Sequence, residues 1–302
     1  MWLMDKLRKQ KYAGGAGSSA KGGNAGDTGA GMFSYKGYLI PKGLINLTGG
    51  GVDTWDDISL GHQEQLRQYC PIEPGCDVLE IGCGVGRDAI QLADFLDAAG
   101  SYTGIDIIRP SIEWCQDNIS RRHPNFKFHY LDIQSQIHNS AGSLKTTEIR
   151  LPVEDSSIDR IILHSVFTHM FEDDIVHYLH EFGRVLRGAG KVMASFFILD
   201  EETMDLVRLQ KQKDPETFLT FEHDYGNGCF INDQEHPEGA VGYNTEAFER
   251  ILERGRMRLV RPIGKGFWCG REGVTDGQDM AILEPFEAVS ESGSNEAAPA
   301  AD

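Results

Sequence analysis

The chain has 302 residues, 40% apolar and 25% charged, enough for one large domain with a sizeable core. Its net charge of −17 repels phosphate backbones, and the only short basic clusters are KLRKQK at 6–11 and RRH at 121–123, so nucleic acid is not an expected partner. No secretory core opens the chain, no window is long enough to span a membrane, and the cysteines at 70, 76, 83, 115, 229 and 269 show neither a CxxC pair nor zinc spacing; together these suggest a cytoplasmic protein with buried thiols.

In chain order, MWLMDKLRKQKY reads as a short helix and AGGAGSSAKGGNAGDTGAG (13–31) as a linker, giving a flexible Gly-rich arm over 1–49. CDVLEIG (76–82) is an apolar strand ending in glycine, and RDAIQLADFLDAAG a helix closed by Gly100. YTGIDI (102–107) is a strand, followed by a helix over SIEWCQDNISRRH with Ser111 as its N-cap. FKFHYLDI (126–133) and SIDRIILH (157–164) are strands. EDDIVHYLHEFGRVLRGAG places Ile175, Tyr178, Leu179, Phe182, Val185 and Leu186 on one helical face and is expected to end at Gly188. GKVMASFFIL (190–199) is a buried strand. The rhythm then breaks into a 199–245 segment expected to form a substrate lid, with a helical stretch EETMDLVRLQKQ, an aromatic and acidic loop, and a helix NTEAFERILERG after it. MRLVRPIGKGFW and DMAILEP supply two last strands, and an acidic tail over 286–302 is expected to be disordered. Repeated strand–helix units with non-alternating strands predict an α/β domain over 50–285, a mostly parallel, doubly wound sheet with helices on both faces.

The loop VLEIGCGVGRDA (78–89) turns a strand into a helix, and its glycines at 82, 84 and 86 let backbone approach a ligand at a helix N-terminus. The pattern is GxGxG; the third glycine of a dinucleotide fingerprint would fall at Arg87, which argues against a nicotinamide cofactor. Asp106 ends the next strand, where a carboxylate accepts both ribose hydroxyls. Asp132 ends the third, placed either to accept an adenine amino group or to cap a helix.

E-x-G-x-G-x-G at 80–86, the acids at 106 and 132, D-x-I-I-L-x-S at 159–165 and RVLRGAGKV at 184–192 resemble the class I, Rossmann-like S-adenosylmethionine-dependent methyltransferases over about 76–200. The resemblance implies a seven-stranded sheet, with the lid inserted after strand 5, and S-adenosylmethionine as cofactor. It implies that Glu80 shapes the loop and helps hold the methionine ammonium, that Gly82, Cys83, Gly84 and Gly86 lie along the cofactor, that Asp106 with Ile107 holds the ribose, and that Asp132 with Ile133 caps the adenine. Arg87 reaches substrate or the methionine carboxylate, or forms a surface salt bridge. WC at 114–115, HPNFKFHYLD at 123–132, SVFTHM at 165–170 and GFWCGREGVTDGQD at 266–279 resemble bacterial methyltransferases associated with glycan assembly, which would make a sugar hydroxyl the acceptor.

An alcohol acceptor benefits from a base, and histidine suits that task. In this fold HSVFTHMF (164–171) ends beside the reactive methyl: His169 is the candidate base with Thr168 or His164 as helper, and His164 and Ser165 otherwise line the cofactor. His169 capping the next helix, or packing beneath the cofactor, is the competing reading. His164 and His169 are five apart and no Cys/His cluster completes a site, so no metal is expected. His223, Asp224, Tyr225, His236 and Tyr243 in the lid and Gln278 or Asp279 near the C-terminus are further acceptor-side candidates. The expected activity is O-methylation of a small-molecule or glycan hydroxyl; N- or C-methylation, or cofactor binding without chemistry, are the alternatives.

Overall fold

A computed structural model describes residues 26–27, 31–215, 217 and 219–286. The expected helix at the N-terminus and the acidic tail lie outside them. The strands are β1 (Gly26–Asp27), β2 (Met32–Tyr35), β3 (Tyr38–Pro41), β4 (Asp77–Ile81), β5 (Ser101–Asp106), β6 (Phe126–Tyr130), β7 (Ile158–Leu163), β8 (Leu186–Phe196), β9 (His223–Gly226), β10 (Cys229–Ile231), β11 (Val241–Tyr243), β12 (Met257–Leu259) and β13 (Asp279–Pro285). The α-helices are α1 (Lys42–Leu47), α2 (Trp55–Tyr69), α3 (Arg87–Leu92), α4 (Arg109–Cys115), α5 (Glu172–Val185), α6 (Glu201–Lys213) and α7 (Thr245–Arg254).

Seven strands form one sheet in the order β12-β13-β8-β7-β4-β5-β6. β4 pairs in parallel with both β5 and β7, and β8 with β7, while β13 runs antiparallel to β8 and β12 to β13. From β4 the chain winds outward through β5 and β6, then crosses back to β7 and β8 on the other side. Ligands of open α/β sheets bind at such a reversal, beyond the carboxyl ends of the strands. At the opposite edge Arg187 ties β4 to β7, donating to Asp77 and Asp159 at 2.8 Å each.

Central strands read as continuous apolar runs because both faces are covered. On one face Leu79, Ile161 and Leu163 pack with Ile175, Leu179 and Phe182 of α5 and Phe248 of α7. On the other, Val78 and Ile162 pack with Ile90, Ile112 and Trp55. The helical spacing read for α5 is matched at Ile175, Tyr178, Leu179, Phe182 and Val185, all buried, whereas Leu186 is buried as the first residue of β8. Its first turn carries Glu172, Asp173 and Asp174, which complement the helix dipole.

Five local expectations change, the first being that α3 ends at Leu92 and not at Gly100. The flexible arm ends earlier than residue 49: β2 and β3 form a hairpin whose Phe33 and Tyr35 pack against Trp55, with ring centroids 6.2 and 6.1 Å apart, because these aromatics find an apolar face to cover. Ser111 is not an N-cap; α4 starts three residues earlier, after Ile108, with Pro110 in the first turn, and Ser111 is buried inside it. Gly188 does not end α5: the helix stops at Val185 and Gly188 lies within β8. The 199–245 segment carries the helix expected over EETMDLVRLQKQ, and its remainder is ordered rather than irregular. It holds α6, whose N-cap Asp200 accepts from the Thr203 N–H at 2.8 Å, and an antiparallel sheet β11-β10-β9. Phe197, Phe221 and Trp268 form its core, joined to the main body through Tyr243, which hydrogen-bonds Phe197 and Leu199. Among the described residues no helix is long and apolar enough to cross a membrane.

Candidate active site

One cavity of about 590 Å³ opens at the carboxyl ends of β4, β5 and β7, a size that suits a small-molecule ligand site. Its near half is the glycine loop. Gly82 and Gly84 take φ of +76° and +52°, and a Cβ there would lie 2.5 Å from Val166 Cγ2 and 2.3 Å from Thr48 Cγ2. Only glycine gives this turn without displacing its neighbours. The Thr48 hydroxyl accepts the Val85 N–H at 3.0 Å, so the segment after α1 holds the loop from outside.

Asp106 lies at the cavity wall, its carboxylate accepting the N–H of Gly84 at 2.6 Å and of Ile108 at 2.7 Å. Burial raises its pKa, and these backbone donors oppose the rise. Ile107, Ile133, Gly82, Gly84, His164, Ser165 and His169 reach the same cavity. Others from the expected set do not line it. Glu80 is buried beneath the loop and accepts the Tyr102 hydroxyl; burial, then the charge of Asp88, push its carboxyl well above the usual range. The Cys83 thiol is buried near Gly104, and Gly86 is the left-handed residue that starts α3. Asp132 turns to the Ser143, Tyr130 and Asn139 side chains, whose hydrogen bonds hold it down at about 2.

Across the cavity stands a wall of imidazoles. Val166–His169 leave β7 and close into a short 3₁₀ turn. Thr168 is fully buried, 3.4 Å from the Ser165 hydroxyl, because the turn points it inward; it is not at the cavity. His169 does line it, and its Nδ1 lies 2.8 Å from the Glu238 carbonyl. A carbonyl can only accept, so Nδ1 carries the proton and Nε2 the lone pair. Burial lowers the His169 pKa, with the Glu238 bond opposing, so the ring is neutral at pH 7. His138 stands edge-on to it at 6.4 Å.

Of the lid candidates, His236 lines the cavity, whereas the Tyr243 hydroxyl donates to the Met170 carbonyl at 2.8 Å and Tyr225 stacks on Phe171 at 4.7 Å. Gln278 donates to the Ser165 hydroxyl at 3.0 Å. Asp279 is a buried structural anchor, accepting from Gly266 N–H, Ile198 N–H and Trp268 Nε1 at 2.9–3.0 Å. Arg87 is no surface salt bridge: it is buried, stacks 4.8 Å over Trp55, donates to the Gly49 carbonyl and reaches the cavity.

Sequence reasoning misses His62 of α2 and Asp88 of α3. Nδ1 of His62 lies 3.0 and 2.9 Å from the two Asp88 carboxylate oxygens, Nδ1 of His164 lies 3.1 Å from one of them, and both rings line the cavity. The rings stack at 3.5 Å. Burial opposes ionisation of Asp88, but the charge and hydrogen bonds of the two imidazoles outweigh it and hold the carboxyl well below its usual range. The ground for expecting no metal, the lack of a completing cluster, therefore does not hold in three dimensions. Twenty-six and seventy-six residues separate the partners of Asp88, so no spacing rule could pair them.

A family model described as a methyltransferase domain matches residues 72–255, more than half of the chain. The chain belongs to this methyltransferase family. Its cofactor is S-adenosylmethionine, and the glycine loop and Asp106 fit that group: a cradle closed to any Cβ, beside a buried carboxylate with oxygen lone pairs at the cavity. Among curated relatives of this methyltransferase, an arsenite methyltransferase of Aquipseudomonas alcaligenes is 26% identical over 54% of this chain and 42% of its own. A 27-O-demethylrifamycin SV methyltransferase of Amycolatopsis mediterranei is 28% identical over 48% of this chain and 50% of its own. The chain thus spans about half the length of the curated relatives it matches. The solved structure of the pyocyanin biosynthetic protein PhzM is similar in fold, with a TM-score of 0.50 at 12% identity over 78% of this chain and 57% of that one.

Proposed function

We propose that the protein methylates a hydroxyl oxygen of a small molecule, with His169 as the base. The observation that carries this reading is a neutral imidazole in the cofactor's own cavity, its Nδ1–H held by the Glu238 carbonyl and its lone pair left on Nε2. When bound, S-adenosylmethionine supplies an electrophilic methyl on a sulfonium. The loop and Asp106 would hold that group, and His169 would accept the acceptor hydroxyl's proton at Nε2. The lid segment around His236–Ala240 forms the far wall and keeps water from the reacting atoms. A relative named for a 27-O-demethylated acceptor supports oxygen as the target atom. Arsenite as acceptor is not favoured: soft arsenic seeks thiolates, and no cysteine lines the cavity.

The glycan resemblance makes sugar hydroxyls the first acceptors to try. Labelled cofactor is incubated with panels of nucleotide sugars, polyketide-type alcohols and amines. Transfer to alcohols that disappears in His169→Ala supports the reading. Transfer to amines alone, indifferent to that substitution, replaces it with N-methylation. If S-adenosylhomocysteine binds but no panel member is methylated under any condition, cofactor binding without chemistry takes its place.

A further inference from the structure

We propose that His62, Asp88 and His164 form a binding site for a divalent transition-metal ion whose open positions face the acceptor half of the cavity. This rests on the cavity being the methyltransferase site, but its test does not.

Asp276 sets the proton positions from outside the cluster. Its carboxylate accepts from the Tyr69 hydroxyl at 2.8 Å and from the Gln65 amide nitrogen at 3.0 Å. That bond decides which way the Gln65 amide points, so its carbonyl oxygen is the atom 3.1 Å from His164 Nε2. A carbonyl oxygen only accepts, and His164 Nε2 therefore carries a proton. In a neutral imidazole the lone pair then sits on Nδ1, and Nδ1 faces the Asp88 carboxylate at 3.1 Å. A lone pair against an anion repels; the geometry calls for positive charge between them, either one more proton or a metal ion.

Three features favour the ion. One ligating atom from each of His62, Asp88 and His164 lies within 4.8 Å of the others, contributed by α2, α3 and the end of β7. Zinc-type bonds of about 2.0–2.2 Å in tetrahedral geometry give ligand–ligand edges of about 3.3–3.6 Å, so the nitrogen–oxygen separations here, 2.9–3.1 Å, need to open by only a few tenths of an ångström to admit the ion. Ligating histidines hold their second N–H on a carbonyl or carboxylate, which is the role Gln65 has toward His164. Two imidazoles and a carboxylate suit zinc, iron, cobalt or nickel rather than calcium or magnesium. The rings, parallel within 11°, must splay to place one ion in both ring planes, so binding breaks the present stack.

The full chain, stripped with a chelator, is titrated with Co²⁺ while visible absorption is recorded, and with Zn²⁺ by calorimetry. One site per chain and cobalt ligand-field bands sensitive to His62→Ala and Asp88→Asn are expected, each variant binding at least ~100-fold more weakly. Gln65→Ala, which leaves all three ligands, should weaken binding by about 10–100-fold. Absence of both signals in the wild-type chain overturns the proposal and leaves an imidazolium–carboxylate pair. Cobalt bands untouched by all three substitutions overturn it as well. S-adenosylhomocysteine binding is measured on the same stripped protein: its loss strikes the cofactor assignment, its retention without metal binding strikes only the ion site.

Discussion

The two halves of the cavity are built differently. The cofactor half comes from the ends of two adjacent strands and the loop between β4 and α3, and its fixed points, Gly82, Gly84 and Asp106, lie within 25 residues. The acceptor half is assembled from α2, the 3₁₀ turn after β7 and the inserted segment before α7, so His62, His169 and His236 meet only through the fold. A ligand shared by a whole family is held by local backbone geometry. A ligand particular to one protein is held by side chains that arrive from far away.

The largest expected effect tests whether the halves do separate work. His169→Ala should lower turnover by ~10²–10⁴ while S-adenosylhomocysteine affinity by calorimetry stays unchanged. Because burial sets the folded pKa of His169 below 6.5, the proposed base is unprotonated through neutral pH. Wild-type kcat/KM should therefore be level above about pH 6.5 and fall only at lower pH, a limb absent from the variant. His138, Asp174 and His236 share the cavity and Glu238 holds the ring, so the limb's midpoint reports that whole environment. Equal loss of cofactor binding in the variant would erase the distinction between the halves.

Trp268→Ala probes the body behind the acceptor wall. Its ring packs 5.0 Å from Phe197 and 5.4 Å from Phe221, and its Nε1 donates to Asp279 at 3.0 Å. Removing a buried aromatic costs about 3–5 kcal/mol, read as a lower urea midpoint. Below that midpoint the acceptor KM should rise more than the cofactor KM.

Gly84→Ala attacks the other half. A Cβ would meet Thr48 at 2.3 Å on a residue with φ +52°. Strain of about 1–3 kcal/mol corresponds to roughly 5–150-fold weaker S-adenosylhomocysteine binding, with thermal stability changed far less than by Trp268→Ala.

The same contrast separates what is legible in the amino-acid sequence from what is hidden there. The β4–α3 loop and Asp106 are legible because a glycine requirement and a strand-end acid are local consequences of backbone geometry. So is α5, where period and burial coincide. Thr168 is misplaced by sequence reasoning because one residue of rotation in a 3₁₀ turn decides between cavity and core, and no pattern records that rotation. Asp132 reads as an adenine contact because the acid at a strand end looks the same whether its partner is a ligand or Ser143 and Tyr130. His62 carries no signal at all: a histidine on a polar helix face gains meaning only when Asp88 and His164 come to meet it.

The smallest predicted effect concerns a place on the rim where the halves touch. The loop after β6 follows the cofactor half, and Glu238 belongs to the insertion; the Glu238 carboxylate accepts the Ser135 hydroxyl at 3.0 Å and the Gln136 N–H at 2.9 Å. These bonds join the rim across the cavity mouth, while the Glu238 backbone carbonyl holds His169. Glu238→Ala removes the first connection and spares the second. Half-exposed bonds of this kind are worth about 1 kcal/mol net, so S-adenosylhomocysteine should leave about fivefold faster in stopped-flow dissociation, with the pH limb of His169 unmoved. A shift of that limb would mean that the rim bonds also set the position of the base, and the two halves would then have to be treated as one coupled site.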